Sequence, residues 1–327
     1  MIRKSLNKGI DLSKRFINYI NNIIVKRYFF NEYIPISDLE IHFFTLLLNG
    51  MPFIKYHMNV LQQLKIPWKW HIIEGVADLK HDTAWSLKTG GKIISNIHMN
   101  GLSIDSTTKY IDMLSNKYKD QIFVYRKPNG QFWDGKLEMC NAILCNLPNQ
   151  CLLWQVDVDE FWSIQHIQLV YDMFKENPGR SAAWFYCNFF VGPNLAVISR
   201  NTFGNNTSYE WIRVWHYKKG MVWIKHEPPT LVIPTILGKC NVAEINPFYH
   251  NETEALGLRF DHYAYTMKEQ LIFKESYYGY KGALDCWKKL QENKIFPTNL
   301  RQFFPWVKDD AIVDIFEPQI KELFYGG

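Results

Sequence analysis

The pattern of apolar and polar positions changes repeatedly between two periods from residue 39 to residue 158. Continuous apolar runs rich in β-branched and aromatic residues predict strands at 41–49, 68–75, 121–127 and 151–158. Segments with an apolar residue at every third or fourth position predict helices at 53–64, 106–118 and 135–147. Because strands alternate with helices and the strands are apolar throughout, we expect a mostly parallel sheet with helices on both faces.

A different texture begins after Ser163. Aromatic-rich strands are predicted at 181–191 and 210–224, and the last sixty residues have mostly helical patterns. We therefore expect three parts along the chain. They are a helical leader at 1–36, an α/β domain at 37–265, and a C-terminal helical extension at 266–327 that packs on that domain.

The leader holds the excess positive charge of the chain. Residues 1–30 contain seven Lys or Arg residues against one Asp, a net charge of +6, whereas the whole chain has a net charge of +5. Since the body is then close to neutral, we expect no nucleic-acid binding. Apolar residues recur at helical spacing in this segment, so two interpretations stay open. The helix packs on the body of its own protein, or residues 1–30 lie on an anionic membrane surface.

Composition narrows the class of protein. The chain of 327 residues is 47% hydrophobic, which is enough to bury a large core. Its six Cys residues form no CxxC pair, as is typical of reduced thiols in a reducing compartment. With no long apolar run and no signal-peptide pattern, we expect a cytoplasmic protein, with the membrane surface as its alternative location. Abundant Asn, Ile, Lys and Tyr are typical of an AT-rich genome, so we expect a bacterial protein or a viral one in an infected host.

Three carboxylates, Asp157, Asp159 and Glu160, occur at the end of the predicted strand 151–158 and directly after it. In extended chain, residues two apart point the same way, so Asp157 and Asp159 face one site and Glu160 the other side. Two like charges held side by side repel unless a cation or a proton lies between them, and oxygen ligands suit Mg²⁺ or Mn²⁺. The carboxyl ends of the strands are also where open α/β sheets bind ligands. The alternative is a solvated turn after a strand.

The segment LLWQVDVDEFW at 152–162 resembles the DxD segment of nucleotide-sugar-dependent glycosyltransferases of the GT-A fold, in the family 2-like branch. Further similar motifs occur in that family's order between residues 39 and 280. They are a first strand and loop containing Asn49, a second strand ending in Glu74, an S-x-D-x-T turn around Asp105 with Ser106 in place of the usual Gly, and a W-x-x-K-x-x-x-x-N helix containing Lys136. An insertion at 76–102 departs from the pattern, and we expect it to be a surface loop rather than a substrate lid.

The resemblance implies an α/β fold of the GT-A, Rossmann-like type, with a mixed, mostly parallel central sheet flanked by helices. It implies Mn²⁺ or Mg²⁺ as cofactor, with Asp159 as a direct ligand, Asp157 acting through water or on the ribose, and His262 as a late ligand. Glu227 in WIKHEPP is the implied catalytic base, with Asp261 as the alternative. The expected contacts to the nucleotide sugar are Asn49, Glu74, Asp105, Lys136, Asp157 and Arg213.

The function that follows is a metal-dependent glycosyltransferase. It would move a sugar from a nucleotide diphosphate donor, a UDP-sugar, to a glycan, lipid-linked or protein acceptor with inversion. One alternative is a metal-dependent phosphodiesterase or other hydrolase, although two-metal sites gather more ligands. Another is an inactive carbohydrate-binding protein of the same fold. A GxGxxG after the first strand and a GxxxxGK segment are both missing, which disfavours a Rossmann dehydrogenase and a P-loop enzyme.

Overall fold

The computed structural model describes residues 15–17, 19–21, 23–27, 39–81 and 83–325. The predicted leader at 1–36 therefore lies largely outside the described residues, although residues 15–17, 19–21 and 23–25 are helical. No described helix combines the length and the apolar character needed to span a lipid bilayer.

The strands, numbered in chain order, have the following bounds: β1 Ile41–Leu47, β2 Trp68–Glu74, β3 Ile122–Tyr125, β4 Gln150–Gln155, β5 Glu160–Phe161, β6 Ala182–Trp184, β7 Tyr186–Gly192, β8 Leu195–Val197, β9 Ile212–Lys218, β10 Val222–Lys225, β11 Thr230–Thr235, β12 Gly238–Asn241, β13 Arg259–His262, β14 Thr298–Asn299 and β15 Ile312–Ile315. The helices are α1 Ile54–Leu61, α2 Ala84–Thr89, α3 Thr107–Lys117, α4 Gly135–Ala142, α5 Ile164–Glu176, α6 His250–Ala255, α7 Lys268–Tyr277, α8 Ala283–Glu292 and α9 Glu322–Tyr325.

The central sheet has the strand order β3-β2-β1-β4-β9-β6. Strands β3, β2, β1 and β4 run parallel, and β9 and β6 add antiparallel pairs at the other side. The register places Ile41 opposite both Trp68 and Leu152. The predicted fold class, α/β with a mixed and mostly parallel central sheet flanked by helices, is confirmed. The parallel part is the segment that the alternating sequence pattern predicted.

Both faces of this sheet are covered, because successive residues of a strand point to opposite faces. Leu152 and Leu153 of β4 are both fully buried. Leu152 belongs to an apolar cluster that includes Ile54 of α1 and Val170 of α5. Leu153 belongs to a second cluster that includes Met139 of α4. A strand buried on both sides is apolar throughout, which explains the run that precedes the carboxylates.

Helix α5 was not predicted, although its sequence carries the signals of a helix. Ser163 is the N-cap, and its hydroxyl accepts a hydrogen bond of 3.1 Å from the His166 amide. Ile167, Val170 and Phe174 follow at helical spacing and are buried. The many aromatic residues of the neighbouring segments made this helical spacing hard to recognise.

A second sheet has the order β14-β15-β8-β7-β13-β5, and a three-stranded sheet has the order β10-β11-β12. The strand predicted at 181–191 is therefore two strands, with β6 in the central sheet and β7 in the second sheet. The strand predicted at 210–224 is also two strands, with β9 in the central sheet and β10 in the three-stranded sheet. The C-terminal segment predicted as a helical extension is helical only in part, because β14 and β15 join the second sheet.

Substitutions on β4 test whether both faces of the sheet are buried. We expect Leu152→Ala and Leu153→Ala each to lower the free energy of unfolding by about 2–5 kcal/mol, because each leaves a cavity in a packed cluster. Urea unfolding followed by fluorescence measures both. Ile315→Ala, at an exposed position of β15, is the control and should cost much less. A small effect at one of the two leucines would contradict coverage on that face.

Candidate active site

A tight turn places the three carboxylates. Strand β4 ends at Gln155, and the Glu160 amide donates a hydrogen bond of 2.9 Å to the Asp157 carbonyl oxygen. The extended chain expected through Val158 is therefore replaced by a turn. Glu160 then starts β5, where it pairs with His262 of β13. The turn thus brings the acidic segment against a strand that is a hundred residues later in the chain.

Arg213 of β9 binds Glu160 in a fully buried ion pair. The Arg213 Nε atom donates to both Glu160 oxygens, at 3.0 and 2.9 Å, and Nη2 donates to Glu160 Oε1 at 2.5 Å. Nη2 also reaches Asp157 Oδ2 at 3.2 Å, and Nη1 donates to the Ile212 carbonyl oxygen. The Arg213 side chain is only 3% exposed and packs on the Trp211 ring. This geometry argues against the predicted contact of Arg213 with a nucleotide sugar.

The same pair sets the charge of the turn. Burial raises the pKa of Glu160, and Arg213 opposes that rise only in part. Burial acts in the same direction on Asp157, but Arg213 and His262 outweigh it, so the pKa of Asp157 lies below its ordinary value. Asp157 is therefore ionised at neutral pH, and its side chain is 34% exposed.

Asp159 and His262 face each other beside this pair. His262 Nε2 lies 3.6 Å from Asp159 Oδ1, which is longer than a hydrogen bond. The other Asp159 oxygen accepts a hydrogen bond of 3.2 Å from Gln270. His262 is buried against Trp211, and its Nδ1 atom has no hydrogen-bond partner. The structure thus brings together Asp157, Asp159 and His262, the three residues predicted at a metal site, and adds Gln270.

These residues can supply only a few of the ligands that a metal ion needs. Across the described part of the chain, no group of three or more His, Cys, Asp or Glu side chains is arranged to hold a metal ion. The gap between Asp159 and His262 suits two ligands of one cation. Magnesium and manganese sites commonly use one or two carboxylates and complete their shell with water and substrate phosphates. Asp159 and His262 fit that type of site. They do not fit a site in which the protein supplies every ligand.

Glu74 lies at the carboxyl end of β2, where its carboxylate is fully buried. It accepts hydrogen bonds from the Ser103 amide at 3.2 Å, from the Thr108 hydroxyl at 2.5 Å and from Arg126 Nε at 2.7 Å. These bonds use the carboxylate to hold the 103–108 turn. Arg126, which the sequence analysis missed, is the partly exposed member of this group.

Asp105 and Asn49 hold the same turn from its other side. The Asp105 carboxylate accepts hydrogen bonds from the amides of Met51 and Thr107, at 2.8 and 3.1 Å. The Asn49 side chain accepts one from the Ile104 amide and donates one to a backbone carbonyl in the insertion. The structure therefore groups Asn49, Glu74 and Asp105, as predicted for one site, but their polar atoms bind protein groups.

Gly50 lies where these two groups of residues adjoin. Its amide donates a hydrogen bond of 2.8 Å to the Thr107 hydroxyl. A Cβ atom at Gly50 would lie 3.0 Å from Val158, in the middle of the acidic turn. The loop after β1 is therefore packed between the acidic turn and the start of α3. The acidic turn follows β4 and the Glu74 group follows β2, on either side of β1, so both lie at the carboxyl edge of the parallel strands, which is the ligand-binding edge of such sheets.

Lys136, His226 and Glu227 form a third group. The Lys136 ammonium donates a hydrogen bond of 3.0 Å to the Tyr278 hydroxyl. Burial and then the charge of Lys136 lower the pKa of His226 to about 3, against the opposing effect of Asp157, so His226 is neutral. Burial and then the charge of Glu227 raise the pKa of Tyr280 to about 12. The charge of Glu227, which is exposed, also acts on Lys136, so the two side chains lie close to each other.

The 76–102 insertion contributes to this third group. The Trp85 ring stacks on the Tyr278 ring, with 5.7 Å between centroids. The Tyr277 hydroxyl donates to the Ala77 carbonyl oxygen, and the Thr89 hydroxyl donates to the Tyr278 carbonyl oxygen. The insertion is therefore attached to the end of α7 beside Lys136.

Asp261, the alternative base, is not brought to the site. It neighbours His262 in β13, so its side chain points to the opposite face. Its carboxylate accepts hydrogen bonds from the Asn188 side chain, the Tyr263 hydroxyl and the Gln319 amide, and it is 2% exposed. No oxygen of Asp261 is open to an acceptor substrate.

Glu210 is a titratable group that the sequence did not reveal. Burial raises its pKa to about 7, and a hydrogen bond from the Asn206 amide and the charges of His262 and Arg213 offset that rise only in part. The negative charge of Glu227 adds to the rise. Glu210 thus lies within the electrostatic field of the site.

Comparison with known proteins gives only distant likenesses. No protein-family model and no curated protein matches the sequence. Similar solved structures include Staphylococcus aureus TarS residues 1–349 (10% identity, TM-score 0.35, 54% of this chain and 47% of that chain), a longer S. aureus TarS structure (12%, 0.34, 54% and 28%), and the mannosyltransferase PcManGT from Pyrobaculum calidifontis in complex with GDP-Man and Mn²⁺ (10%, 0.33, 56% and 47%). The match spans about half or less of each of those chains. Identities and TM-scores this low carry no information about substrate or reaction.

Removal of Arg213 should destabilise the protein strongly. We expect Arg213→Met to lower the free energy of unfolding by about 3–5 kcal/mol, because it leaves the Glu160 carboxylate buried without a partner. Adding Glu160→Gln should recover part of that loss. Urea unfolding at neutral pH measures both variants. Arg301→Met is the control, since Arg301 is 54% exposed and its pair with Asp310 should contribute about 1 kcal/mol or less. Equal costs for Arg213→Met and Arg301→Met would contradict the role of the buried pair.

Glu210 should give the stability a pH dependence of defined sign. Its pKa is about 7 in the folded protein against an ordinary 4.5, so the folded state binds the proton more tightly. The stabilisation that protonation provides is complete below pH 4.5 and is lost as the pH rises through 7. We expect the difference in unfolding free energy between Glu210→Gln and the wild type to grow in favour of the variant over this interval. A difference that does not change with pH would contradict the assignment.

Proposed function

We propose that this protein is a glycosyltransferase that moves a sugar from a nucleotide diphosphate donor, a UDP-sugar, to a glycan, lipid-linked or protein acceptor. The observation that carries the proposal is the Asp159–His262 pair beside the ionised Asp157, at the carboxyl edge of β4. The motif order from residue 39 to residue 280 supports the same reaction class.

The acidic turn is the proposed place of the donor diphosphate. Asp159 and His262 would hold a divalent cation, and Asp157 would act through water or contact the ribose. Such a cation supplies charge that stabilises the departing diphosphate. Because Mg²⁺ prefers oxygen ligands throughout, the imidazole of His262 favours Mn²⁺. Arg213 acts indirectly, since it holds Asp157 and Glu160 in place.

The nucleoside end of the donor would lie at the neighbouring 103–108 turn. Glu74, Asp105 and Asn49 fix the shape of this turn through their hydrogen bonds. Arg126, anchored by Glu74 and Asp112, is partly exposed there and offers donors to a nucleotide. The three residues predicted to contact the donor would then position its binding loop.

The acceptor would lie beside Glu227 and Lys136. Glu227 is exposed, and a carboxylate in that position can take the proton of an attacking hydroxyl group. Transfer by direct attack of that hydroxyl inverts the anomeric carbon. Trp85, Tyr278 and Tyr280 form a partly exposed aromatic wall nearby, which is suited to the apolar face of a sugar ring.

Replacement of Asp159 tests the proposed reaction. We expect Asp159→Asn to lower the rate of transfer from a UDP-sugar with Mn²⁺ on the order of 100- to 1,000-fold, because the cation loses a charged ligand. Product analysis by mass spectrometry separates transfer to an acceptor from release of free sugar. Asp285→Asn is the matched control, since Asp285 is 78% exposed on α8.

Three outcomes would contradict the proposal. Full activity of the Asp159→Asn variant would show that the acidic turn takes no part in the reaction. Cleavage of a phosphodiester without sugar transfer would favour the hydrolase alternative. Binding of glycans by the wild type with no transfer from any nucleotide sugar would favour an inactive carbohydrate-binding protein.

A further inference from the structure

The described helical residues before residue 28 are attached to the body of the protein by one face. Asn21 and Val25 are four residues apart, so they lie on the same side of a helix, and both are 1% exposed. Val25 belongs to the apolar cluster on the α4 side of the central sheet. The Thr235 hydroxyl of β11 donates a hydrogen bond of 2.8 Å to the Asn21 side chain. Of the two interpretations of the leader, the first therefore applies to these described residues, which pack on the body of their own protein.

Five other described side chains of this segment are apolar and exposed. They are Phe16, Ile17, Tyr19, Ile23 and Ile24, with Phe16 and Tyr19 more than 60% exposed. Phe16 and Ile23 are seven residues apart, and Tyr19 and Ile23 four apart, so these three lie along one side of the helix. A contiguous exposed apolar surface of this kind marks an interaction site rather than a stable solvated face.

The tip of the β11–β12 hairpin extends this surface. Thr235 pairs with Gly238, so Ile236 and Leu237 form a two-residue turn. Such turns favour Asn and Gly, because their backbone conformations suit those residues. Here both positions are apolar, Ile236 is completely exposed and Leu237 is 43% exposed. Folding gives no reason for this choice. The Thr235–Asn21 hydrogen bond joins the tip to the helical segment.

Exposed basic residues adjoin these apolar ones along the chain. Lys26 and Arg27 are exposed at the end of the described helical segment, and Lys239 is exposed next to the hairpin tip. Residues 1–30 carry seven basic residues and one acidic residue. Apolar side chains with a basic rim match the two layers of an anionic bilayer surface, which are the acyl boundary and the negative headgroups.

We propose that the described helical residues 15–17, 19–21 and 23–27 and the hairpin tip 234–239 together form a docking surface for anionic lipid membranes. The apolar side chains enter the headgroup region, and the basic ones contact lipid phosphates and carboxylates. Asn21 and Thr235 hold the two parts of the surface in one orientation. This inference is independent of the proposed function, because none of these residues belongs to the candidate active site.

Co-sedimentation of the full chain with lipid vesicles tests the proposal. The vesicles contain phosphatidylcholine alone, or phosphatidylcholine mixed with phosphatidylserine. We expect binding to the mixed vesicles only, with a loss of about fivefold in affinity for each basic charge removed in the Lys26→Gln, Arg27→Gln and Lys239→Gln variant. The Ile23→Asp, Ile236→Asp variant should lose about tenfold or more. Because all five positions are exposed, the melting temperature should stay that of the wild type.

Ile295→Asp is the matched control, since Ile295 is 78% exposed outside the proposed surface, and its binding should equal that of the wild type. The proposal is overturned by failure of the wild type to bind mixed vesicles, or by equal binding to both vesicle types. It is also overturned if the Ile23→Asp, Ile236→Asp variant binds as well as the control. Dimerisation without lipid, lost in that variant and accompanied by no vesicle binding, would instead assign the surface to a second copy of the chain.

Discussion

The ion pair between Arg213 and Glu160 is the interaction on which the arrangement of the site depends. A carboxylate buried at a sheet edge is costly unless a charged partner and hydrogen bonds compensate it. Arg213 supplies four donor contacts to the carboxylates, three to Glu160 and one to Asp157. A strand buried on both faces can therefore be followed directly by three acidic residues. Since Arg213 is contributed by β9, the acidic turn takes its shape only when the antiparallel part of the central sheet has formed.

The same constraint divides the charged residues between structure and chemistry. Glu160 and Arg213 neutralise each other inside the protein, whereas the side chains of Asp157 and Asp159 are partly exposed. The position of His262 is set by the pairing of β13 with β5, which fixes the His262 ring against the acidic turn. Two neighbouring groups, one around Glu74 and one around Lys136, border the turn along the carboxyl edge of the sheet. The proposed donor and acceptor would meet between them.

Local sequence patterns predicted the parallel half of the fold and the carboxylates at the end of β4, because both depend on short-range features, but they predicted extended chain where the structure has a turn. Continuous apolar runs mark strands such as β4, and carboxylates two residues apart mark a charged edge. The partners of these carboxylates could not be derived in this way. In the sequence, Arg213 is one arginine in an aromatic strand with no local sign of its partner. Its contact with Glu160 joins residues that are 53 positions apart. Glu210 titrates near neutrality only because the fold buries it, and the division of 181–191 between two sheets depends on pairing with distant strands.

Thermal unfolding with UDP tests the central claim, that Asp159 and His262 form a cation-dependent site for a nucleotide diphosphate. A ligand that binds the folded state raises the melting temperature with the logarithm of its concentration relative to its dissociation constant. The account predicts that UDP raises the melting temperature of the wild type with Mn²⁺ present, and that EDTA or His262→Ala abolishes the rise. An equal rise with EDTA, or an undiminished rise in His262→Ala, would contradict it.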